Sequence, residues 1–183
     1  KYLYERKESL DLSPEDARLL SETYLSYFRN GAALPEGKKE EFAKIQEELA
    51  LLNLKFGKNV LSATNAFRLN ITDEADLDGI PDSIREMAAY EAAQNGESGW
   101  TFTLDHPSLA PFLKYSSKRD LREKIWRASS GRCVGGEFDN RQNIVEIVKL
   151  RRKEAELLGY ETYADYALSD RMAKNRQTVD DFL

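Results

Sequence analysis

The stretch from Asp139 to Met172 constrains the fold of this chain more than any other part of the sequence. Asp139 or Asn140 is suited to cap the start of a helix, and Gly159 is suited to end it in a left-handed turn. Between these residues, apolar side chains recur at helical spacing, about 100° per residue, and form a broad arc on one side of the helix. An arc of this breadth predicts a helix that packs against several neighbours. The arc consists of Ile144, Ile147, Val148, Ala155 and Leu158, widened by Leu150 and Leu157.

Two charged residues, Arg151 and Glu154, fall inside this apolar arc. Residues three apart are neighbours on a helix surface, so these two can pair with each other. The first interpretation is a partly buried ion pair, or charged groups that reach out to water. The second interpretation is that both residues line a polar groove or channel.

Two helices are predicted before this stretch. Ser13 and Pro14 form a helix start, and the helix they open ends at Asn30 and Gly31. The longest helix runs from about Pro35 to Thr64, and its narrow apolar seam indicates antiparallel packing. Because a short loop joins it to the preceding helix, we expect a hairpin with that helix rather than a coiled-coil dimer. A second line of leucines suggests that its C-terminal half is covered on two sides. The seam comprises Phe42, Ile45, Leu49, Leu52, Phe56 and Val60, and the second line comprises Leu51, Leu54 and Leu61.

In only two places do apolar residues occur at every second position, the spacing that is typical of a β-strand. Residues 66–71 and 100–104 alternate and are predicted to pair as antiparallel strands, with a helix from Pro81 to about Gln94 between them. Short helices are expected from Pro107 to Leu113 and from Leu121 to Ala128, the second capped by Ser117. Residues 131–136 are expected to form a loop. The fold class is therefore all-α, mostly antiparallel helices, with one small two-stranded antiparallel β element.

Composition narrows the class of protein. The net charge is −5 and charged residues make up 32% of the 183 residues, which is typical of a globular helical protein. Nucleic acid is not expected as a main partner, and no apolar run is long enough to span a membrane. Residues 1–10 read as the tail of a helix, and residues 178–183 as the first turns of another. We therefore expect residues 1–183 to be a single helical domain cut from a longer protein.

The sequence offers no catalytic set of its own. Zinc peptidase chemistry requires two histidines one helical turn apart with a glutamate between them, and this chain has one histidine. His106 is expected to have a turn or capping role. Cys133 is the single cysteine, so it can form no disulfide within the chain and has no second Cys for a metal site. We accordingly assign no catalytic residue and no metal ligand.

Two loops resemble binding motifs without completing them. The acidic residues Glu74, Asp76 and Asp78 imitate a calcium loop, but its twelfth position, which should be a glutamate, is Arg85. The glycines of residues 131–136 lack the ending of a phosphate-binding loop. Tyr160, Tyr163 and Tyr166 recur at steps of three, and we expect packing roles for them, with stacking on a peptide as the alternative.

Several segments in this order resemble the thimet oligopeptidase family of zinc metallopeptidases, which includes oligopeptidase A and bacterial peptidyl-dipeptidase. The closest resemblance is to the peptidyl-dipeptidase branch. The segments are Asn65-Ala66-Phe67, Leu77-Asp78-Gly79-Ile80-Pro81, Phe112-Leu113-Lys114-Tyr115, Arg122-Glu123-Lys124, Leu157-Leu158-Gly159-Tyr160, Tyr163-Ala164-Asp165-Tyr166 and Arg171-Met172-Ala173-Lys174.

The resemblance implies a part of such an enzyme upstream of its catalytic domain. Zinc, its ligands and the catalytic glutamate would then lie beyond Leu183. This part would be inactive alone and would form a helical wall of a channel that admits short peptides. The substrate-binding residues are unknown, and Arg151, Glu154, Tyr160, Tyr163, Tyr166 and Arg171 are the candidates to face that channel.

Two hypotheses follow from the sequence. The first is a fragment of a zinc oligopeptidase or peptidyl-dipeptidase, whose partners are short peptides and the missing catalytic domain. Such a fragment would expose an apolar patch and could dimerise through it. The cytoplasm is the compartment implied by the family, and an exported form is the alternative. The second hypothesis is a non-catalytic helical domain that binds another protein.

Overall fold

The computed structural model describes residues 1–183, with nine α-helices and one pair of β-strands. The elements in chain order are α1 Tyr2–Glu5, α2 Pro14–Arg29, α3 Glu36–Ala66, β1 Leu69–Ile71, α4 Asp82–Gln94, β2 Trp100–Phe102, α5 His106–Tyr115, α6 Arg119–Ser130, α7 Arg141–Leu157, α8 Tyr163–Leu168 and α9 Arg176–Phe182, with short 3₁₀ turns at Lys7–Ser9 and Glu74–Leu77. The predicted fold class is confirmed. None of the helices has both the length and the apolar character needed to cross a bilayer.

The chain divides into two compact units. Unit 1 comprises Lys1–Asn53 and Val145–Leu183, and unit 2 comprises Leu54–Ile144. Each unit has its own buried apolar cluster. The assignment of residues 1–183 to a single domain stays a prediction.

Unit 2 is built around the predicted strand pair. Strands β1 and β2 are antiparallel, with Leu69 opposite Phe102 and Ile71 opposite Trp100. A two-stranded sheet is marginal alone, and here helices cover it. Phe102 and Phe112 are fully buried, with ring centroids 4.6 Å apart. The complete core is Leu69, Ile71, Leu77, Ile80, Ala88, Phe102, Leu104, Phe112 and Ile125.

Gly79 shows how tightly the loops of unit 2 approach each other. It has φ +83°, and a Cβ at this position would lie 2.2 Å from the Tyr115 carbonyl oxygen. Only glycine fits both restrictions. The predicted Ser117 cap of α6 is wrong, because the Ser117 hydroxyl donates instead to the Asp78 carboxylate at 2.6 Å, and α6 begins after Lys118 with no side-chain cap.

Unit 1 contains the N-terminal part of the predicted seam of α3, and its partner differs from the one that loop length suggested. Ile45 and Leu49 pack on Ile147 and Leu150 of α7. The sequence favoured a hairpin with the preceding helix, since the connection from α2 is short. The antiparallel partner within the chain is therefore present, but it comes from about one hundred residues later in the sequence.

Two predictions about which helix faces are covered by other elements were wrong. Leu51, Leu54 and Leu61 are 60–70% exposed, so the second line of leucines on α3 is not covered. In the apolar arc of α7, Ile147, Leu150, Ala155 and Leu158 are buried, whereas Ile144 and Val148 are 48% and 59% exposed. Periodicity identifies the side of a helix on which a residue lies, and it does not say whether another element packs there.

The starts of α2 and α7 agree with their sequence signals. The Ser13 hydroxyl accepts from the Asp16 amide at 3.1 Å and opens α2. The Asp139 carboxylate accepts from the Arg141 amide at 2.9 Å, at the start of α7. A bidentate bond from the Arg141 guanidinium holds the pKa of Asp139 well below its usual range. Residues 1–10 form the short α1 and a 3₁₀ turn instead of one continuous helical tail.

Candidate functional site

The end of α7 fixes the first residue of the tyrosine cluster, which we define as Tyr160, Tyr163 and Tyr166. Gly159 has φ +85°, and the amides of Gly159 and Tyr160 donate to the carbonyls of Glu156 and Ala155 at 3.1 and 2.9 Å. This pair of bonds is the Schellman arrangement, which satisfies carbonyls that the ended helix leaves free. The predicted left-handed stop is confirmed, and it turns Tyr160 back beside the helix that follows.

A capping box at Thr162 places the other two tyrosines. The Thr162 hydroxyl accepts from the Asp165 amide at 3.2 Å, and the Asp165 carboxylate accepts from the Thr162 amide at 3.1 Å. Arg176 of α9 adds a bond to the same carboxylate at 3.0 Å. The Thr162 hydroxyl and the Arg176 charge lower the pKa of Asp165. Helix α8 thus begins at Tyr163 and carries Tyr163 and Tyr166 on adjacent turns.

The Tyr166 ring packs edge to face with Tyr160 and at a tilt with Tyr163. Tyr160 and Tyr166 have centroids 5.4 Å apart at an interplanar angle of 70°, and Tyr163 and Tyr166 are 5.6 Å apart at 51°. These are the geometries that aromatic quadrupoles favour. Each ring is half-buried, so the cluster packs internally and still presents aromatic surface. Packing, the first interpretation of the spacing, is confirmed.

Arg29, the last residue of α2, holds α8 in place. Its guanidinium donates to the Tyr166 carbonyl at 2.7 Å and to the Ser169 hydroxyl at 2.6 Å. It also lies 4.1 Å from the centroid of the Tyr166 ring and 3.5 Å from the Asp170 carboxylate. A planar guanidinium can satisfy several partners at once, which a lysine could not do. Sequence analysis missed Arg29 because it lies 137 residues from Tyr166.

Arg151 and Glu154 do not pair with each other, so that prediction was wrong. Glu154 is buried at 6% exposure, and its carboxylate accepts from the Gln46 amide of α3 at 2.8 Å. The Arg151 guanidinium lies 5.2 Å from the centroid of the Tyr163 ring. Each residue has found a remote partner that sequence spacing alone could not indicate.

The environment of Tyr166 changes its acidity. Burial raises the pKa of the Tyr166 phenol, and the negative charge of Glu154 raises it further. The Arg29 guanidinium acts in the opposite direction. Tyr166 therefore stays protonated through the neutral range and can act as a hydrogen-bond donor there.

The sixth candidate, Arg171, has a local contact instead. Its guanidinium donates to the Ala167 carbonyl at 3.1 Å and is exposed. The structure thus brings the tyrosine cluster together with Arg29 and Arg151. Glu154 is buried against Gln46 instead. Arg171 has no contact with the rings. The combined surface can stack on apolar side chains and donate hydrogen bonds through guanidinium groups.

Metal chemistry does not fit the side chains of this chain. No three side chains among His, Cys, Asp and Glu come together in an arrangement that could hold a metal ion. His106 is the first residue of α5, and Cys133 lies in the loop after α6. In the imitation calcium loop, Arg85 donates to the carbonyls of Leu77 and Ile80 at 3.2 and 2.8 Å. We therefore derive no catalytic step from these residues.

Comparison with known proteins shows what this sequence is similar to. Residues 112–183 match the model described as peptidase family M3. The chain is 38% identical to a probable cytosolic oligopeptidase A of Arabidopsis thaliana, over 88% of this chain and 24% of that protein. It is 38% identical to oligopeptidase A of Escherichia coli, over 84% of this chain and 23% of that protein.

A dipeptidyl carboxypeptidase of Salmonella typhimurium is 30% identical over 99% of this chain and 27% of its own length. The chain spans about a quarter of the length of these curated relatives. The oligopeptidase A sequences share 35–41% of residues with the chain, and the dipeptidyl carboxypeptidases share 28–30%. The identities are therefore higher to oligopeptidase A, whereas the sequence motifs indicated the peptidyl-dipeptidase branch.

Proposed function

We propose that this chain, which matches peptidase family M3 over residues 112–183 and is similar to oligopeptidase A, forms a non-catalytic helical part of a longer zinc metallopeptidase that hydrolyses short peptides. The observation that carries this proposal is similarity to oligopeptidase A at 35–41% identity over 78–96% of the chain. Zinc, its ligands and the residue that activates water are assigned to the remainder of the longer protein. The proposed compartment is the cytoplasm.

Within that protein, the proposed role of this chain is to form a wall of the peptide channel. The tyrosine cluster with Arg151 is the surface that we assign to this wall. Aromatic rings bind varied apolar side chains at a small cost in conformational entropy, and the Arg151 guanidinium can donate to peptide carbonyls. Such contacts suit a peptidase that accepts many short sequences. They contribute to binding and not to the chemical step.

A second candidate function is a helical domain that binds another protein without catalysis. Leu54 and Leu61, two exposed leucines on the part of α3 that belongs to unit 2, favour it, since an exposed apolar helix face suits contact with another protein surface. The two candidates make opposite predictions for the longer gene. The peptidase requires a helix with two histidines one turn apart and a glutamate between them, and the binding domain does not.

Peptide hydrolysis by the full-length protein tests the proposal. We expect hydrolysis of short peptides that a zinc chelator abolishes and added zinc restores. Release of C-terminal dipeptides only from peptides with a free C-terminus would assign the dipeptide-releasing activity. Cleavage that ignores a blocked C-terminus would assign the internal one. A folded, metal-loaded protein that hydrolyses neither peptide would contradict the proposal and favour the protein-binding domain.

A further inference from the structure

Helix α6 and its flanks are basic, whereas the chain as a whole is acidic. Residues 114–132 contain seven lysines and arginines against two acidic residues, while the net charge of the chain is −5. A local field of this sign attracts anionic groups even when the whole protein repels them. All of these residues belong to unit 2.

A surface cavity of about 420 Å³ lies on this basic segment. Trp126 is one of its walls and is 53% exposed. Leu113 of α5 supplies further apolar surface, and the remaining walls are Arg119, Arg122 and Glu123. An exposed tryptophan beside free cationic groups is a common anchor in binding surfaces, because it offers a large apolar face and a polar edge.

The charged groups around this cavity differ in how far they are engaged. Arg127 is paired with Glu123 at 2.7 Å, and Lys118 with Asp76 at 3.2 Å. The Arg122 guanidinium donates to the Ser116 carbonyl through one of its amino groups. Arg119 is exposed and has neither a hydrogen bond nor an ion pair within the chain. Its five N–H donors can all be used by a ligand.

We propose that the cavity formed by Leu113, Arg119, Arg122, Glu123 and Trp126 binds an extended acidic peptide that carries an apolar residue next to a carboxylate. The carboxylate accepts a bidentate hydrogen bond from Arg119, and the apolar residue packs on Trp126 and Leu113. Glu123 remains paired with Arg127 and so does not repel the ligand strongly. This inference goes beyond the proposed function, because binding here involves no hydrolysis.

A polyanion such as RNA is the other class of ligand that a basic surface attracts. The composition of the cavity favours the peptide. Its walls include one leucine and one tryptophan, and Asp120 beside it interrupts the positive charge that a phosphate backbone would follow.

Fluorescence anisotropy with the full-length protein, treated with a chelator to suppress hydrolysis, tests the inference. The probe is a labelled peptide of alternating glutamate and leucine, and its partner peptide has glutamine in place of each glutamate. We expect the acidic peptide to bind in a salt-sensitive manner and Trp126→Ala or Arg119→Glu to weaken it about tenfold. Arg18→Glu, a charge reversal at an exposed site on α2, is the matched control and should change binding less than about twofold.

Three results would overturn the inference. Equal binding of the acidic and glutamine peptides would remove the role of the carboxylate. Equal binding by the parent, Arg119→Glu and Trp126→Ala proteins, all with the same melting temperature, would place the site elsewhere. Tighter binding of single-stranded RNA than of the acidic peptide, lost in Arg119→Glu, would assign the surface to nucleic acid. Each readout is independent of peptide hydrolysis, so a failed peptidase assay does not affect it.

Discussion

Each of the two units of this chain is stabilised by a different kind of interaction. In unit 2, nine buried apolar residues from the strand pair, the helices and the loops around them form one core. In unit 1, the buried apolar cluster has four members, all on α3 and α7. Side chains such as Arg29 and Glu154 fix the rest of unit 1 through hydrogen bonds and ring contacts. We infer that unit 2 depends on apolar volume, whereas unit 1 depends on the identity of a few polar groups.

The distribution of chromophores makes this difference measurable. Both tryptophans, Trp100 and Trp126, lie in unit 2, and seven of the nine tyrosines lie in unit 1. Tryptophan fluorescence therefore follows the unfolding of unit 2. Tyrosine bands in the near-ultraviolet circular dichroism spectrum report chiefly on unit 1.

The largest expected effect is in the core of unit 2. Phe112→Ala removes a fully buried ring that packs on Phe102, and it should lower the free energy of unfolding by about 3–5 kcal/mol. Urea unfolding followed by tryptophan fluorescence measures it. Tyr90→Ala, at a position of unit 2 that is 66% exposed, is the control and should change stability by less than about 0.5 kcal/mol. A loss below about 1 kcal/mol for Phe112→Ala would mean that this core does not dominate unit 2.

A smaller effect is expected in the apolar cluster of unit 1. Leu49→Ala, at a position 7% exposed, should cost about 2–3 kcal/mol, near the lower end for buried leucines because the cluster is small. The tyrosine dichroism on urea unfolding measures this. Leu51→Ala lies on the same helix and in the same unit at 60% exposure, and it should cost less than about 0.5 kcal/mol. Equal costs for the two variants would show that the exposed leucine line is covered in solution.

The polar attachment of α8 should give the next effect. Arg29→Met keeps the length of the side chain and removes the hydrogen bonds that the guanidinium donates to the Tyr166 carbonyl and the Ser169 hydroxyl, so we expect a loss of about 1–3 kcal/mol in unit 1. Arg29→Lys keeps the charge without the planar group, so its stability should lie between that of the parent and that of Arg29→Met. The tyrosine dichroism serves again. If Arg29→Met is as stable as the parent, unit 1 does not depend on this polar attachment.

The smallest effect concerns pH. Since the pKa of Tyr166 is raised in the folded chain, the unfolded chain loses that proton first, and stability should fall as the pH rises above 10, the ordinary value for this group. Below that pH the contribution is complete. Tyr166→Phe should remove this part of the decline, and Glu154→Gln should reduce it. Parallel stability curves for the parent and Tyr166→Phe above pH 10 would contradict the raised pKa.

The success of the sequence-based predictions depended on how far apart along the sequence the interacting residues lie. The strand pair, the Ser13 cap and the Gly159 stop are local signals, and all three are confirmed. The partner of Glu154 is Gln46, 108 residues away, so spacing on α7 could only suggest Arg151. The exposure of Leu51 could not be predicted either, because periodicity does not say which faces the fold covers.

The candidate site shows the same division. Its three tyrosines were identified from their spacing and are brought together by the Schellman turn and the capping box. Arg29 was missed, although it contacts the cluster more than any other charged residue, because nothing near it in the sequence refers to residues 160–170. Remote polar contacts are specified by the fold as a whole, and a single sequence carries no local mark of them.

The most direct test of the central claim is steady-state peptide hydrolysis by the full-length protein carrying Tyr163→Ala. If this chain contributes to peptide binding and not to the chemical step, KM should rise about fivefold through the loss of one ring contact, while kcat stays within about twofold. Tyr90→Ala, at an exposed position of unit 2, should change neither. A hundredfold fall in kcat with an unchanged KM would contradict the account, since it would place the chemical step on residues of this chain, and unchanged values for Tyr163→Ala would remove the tyrosine cluster from the channel wall.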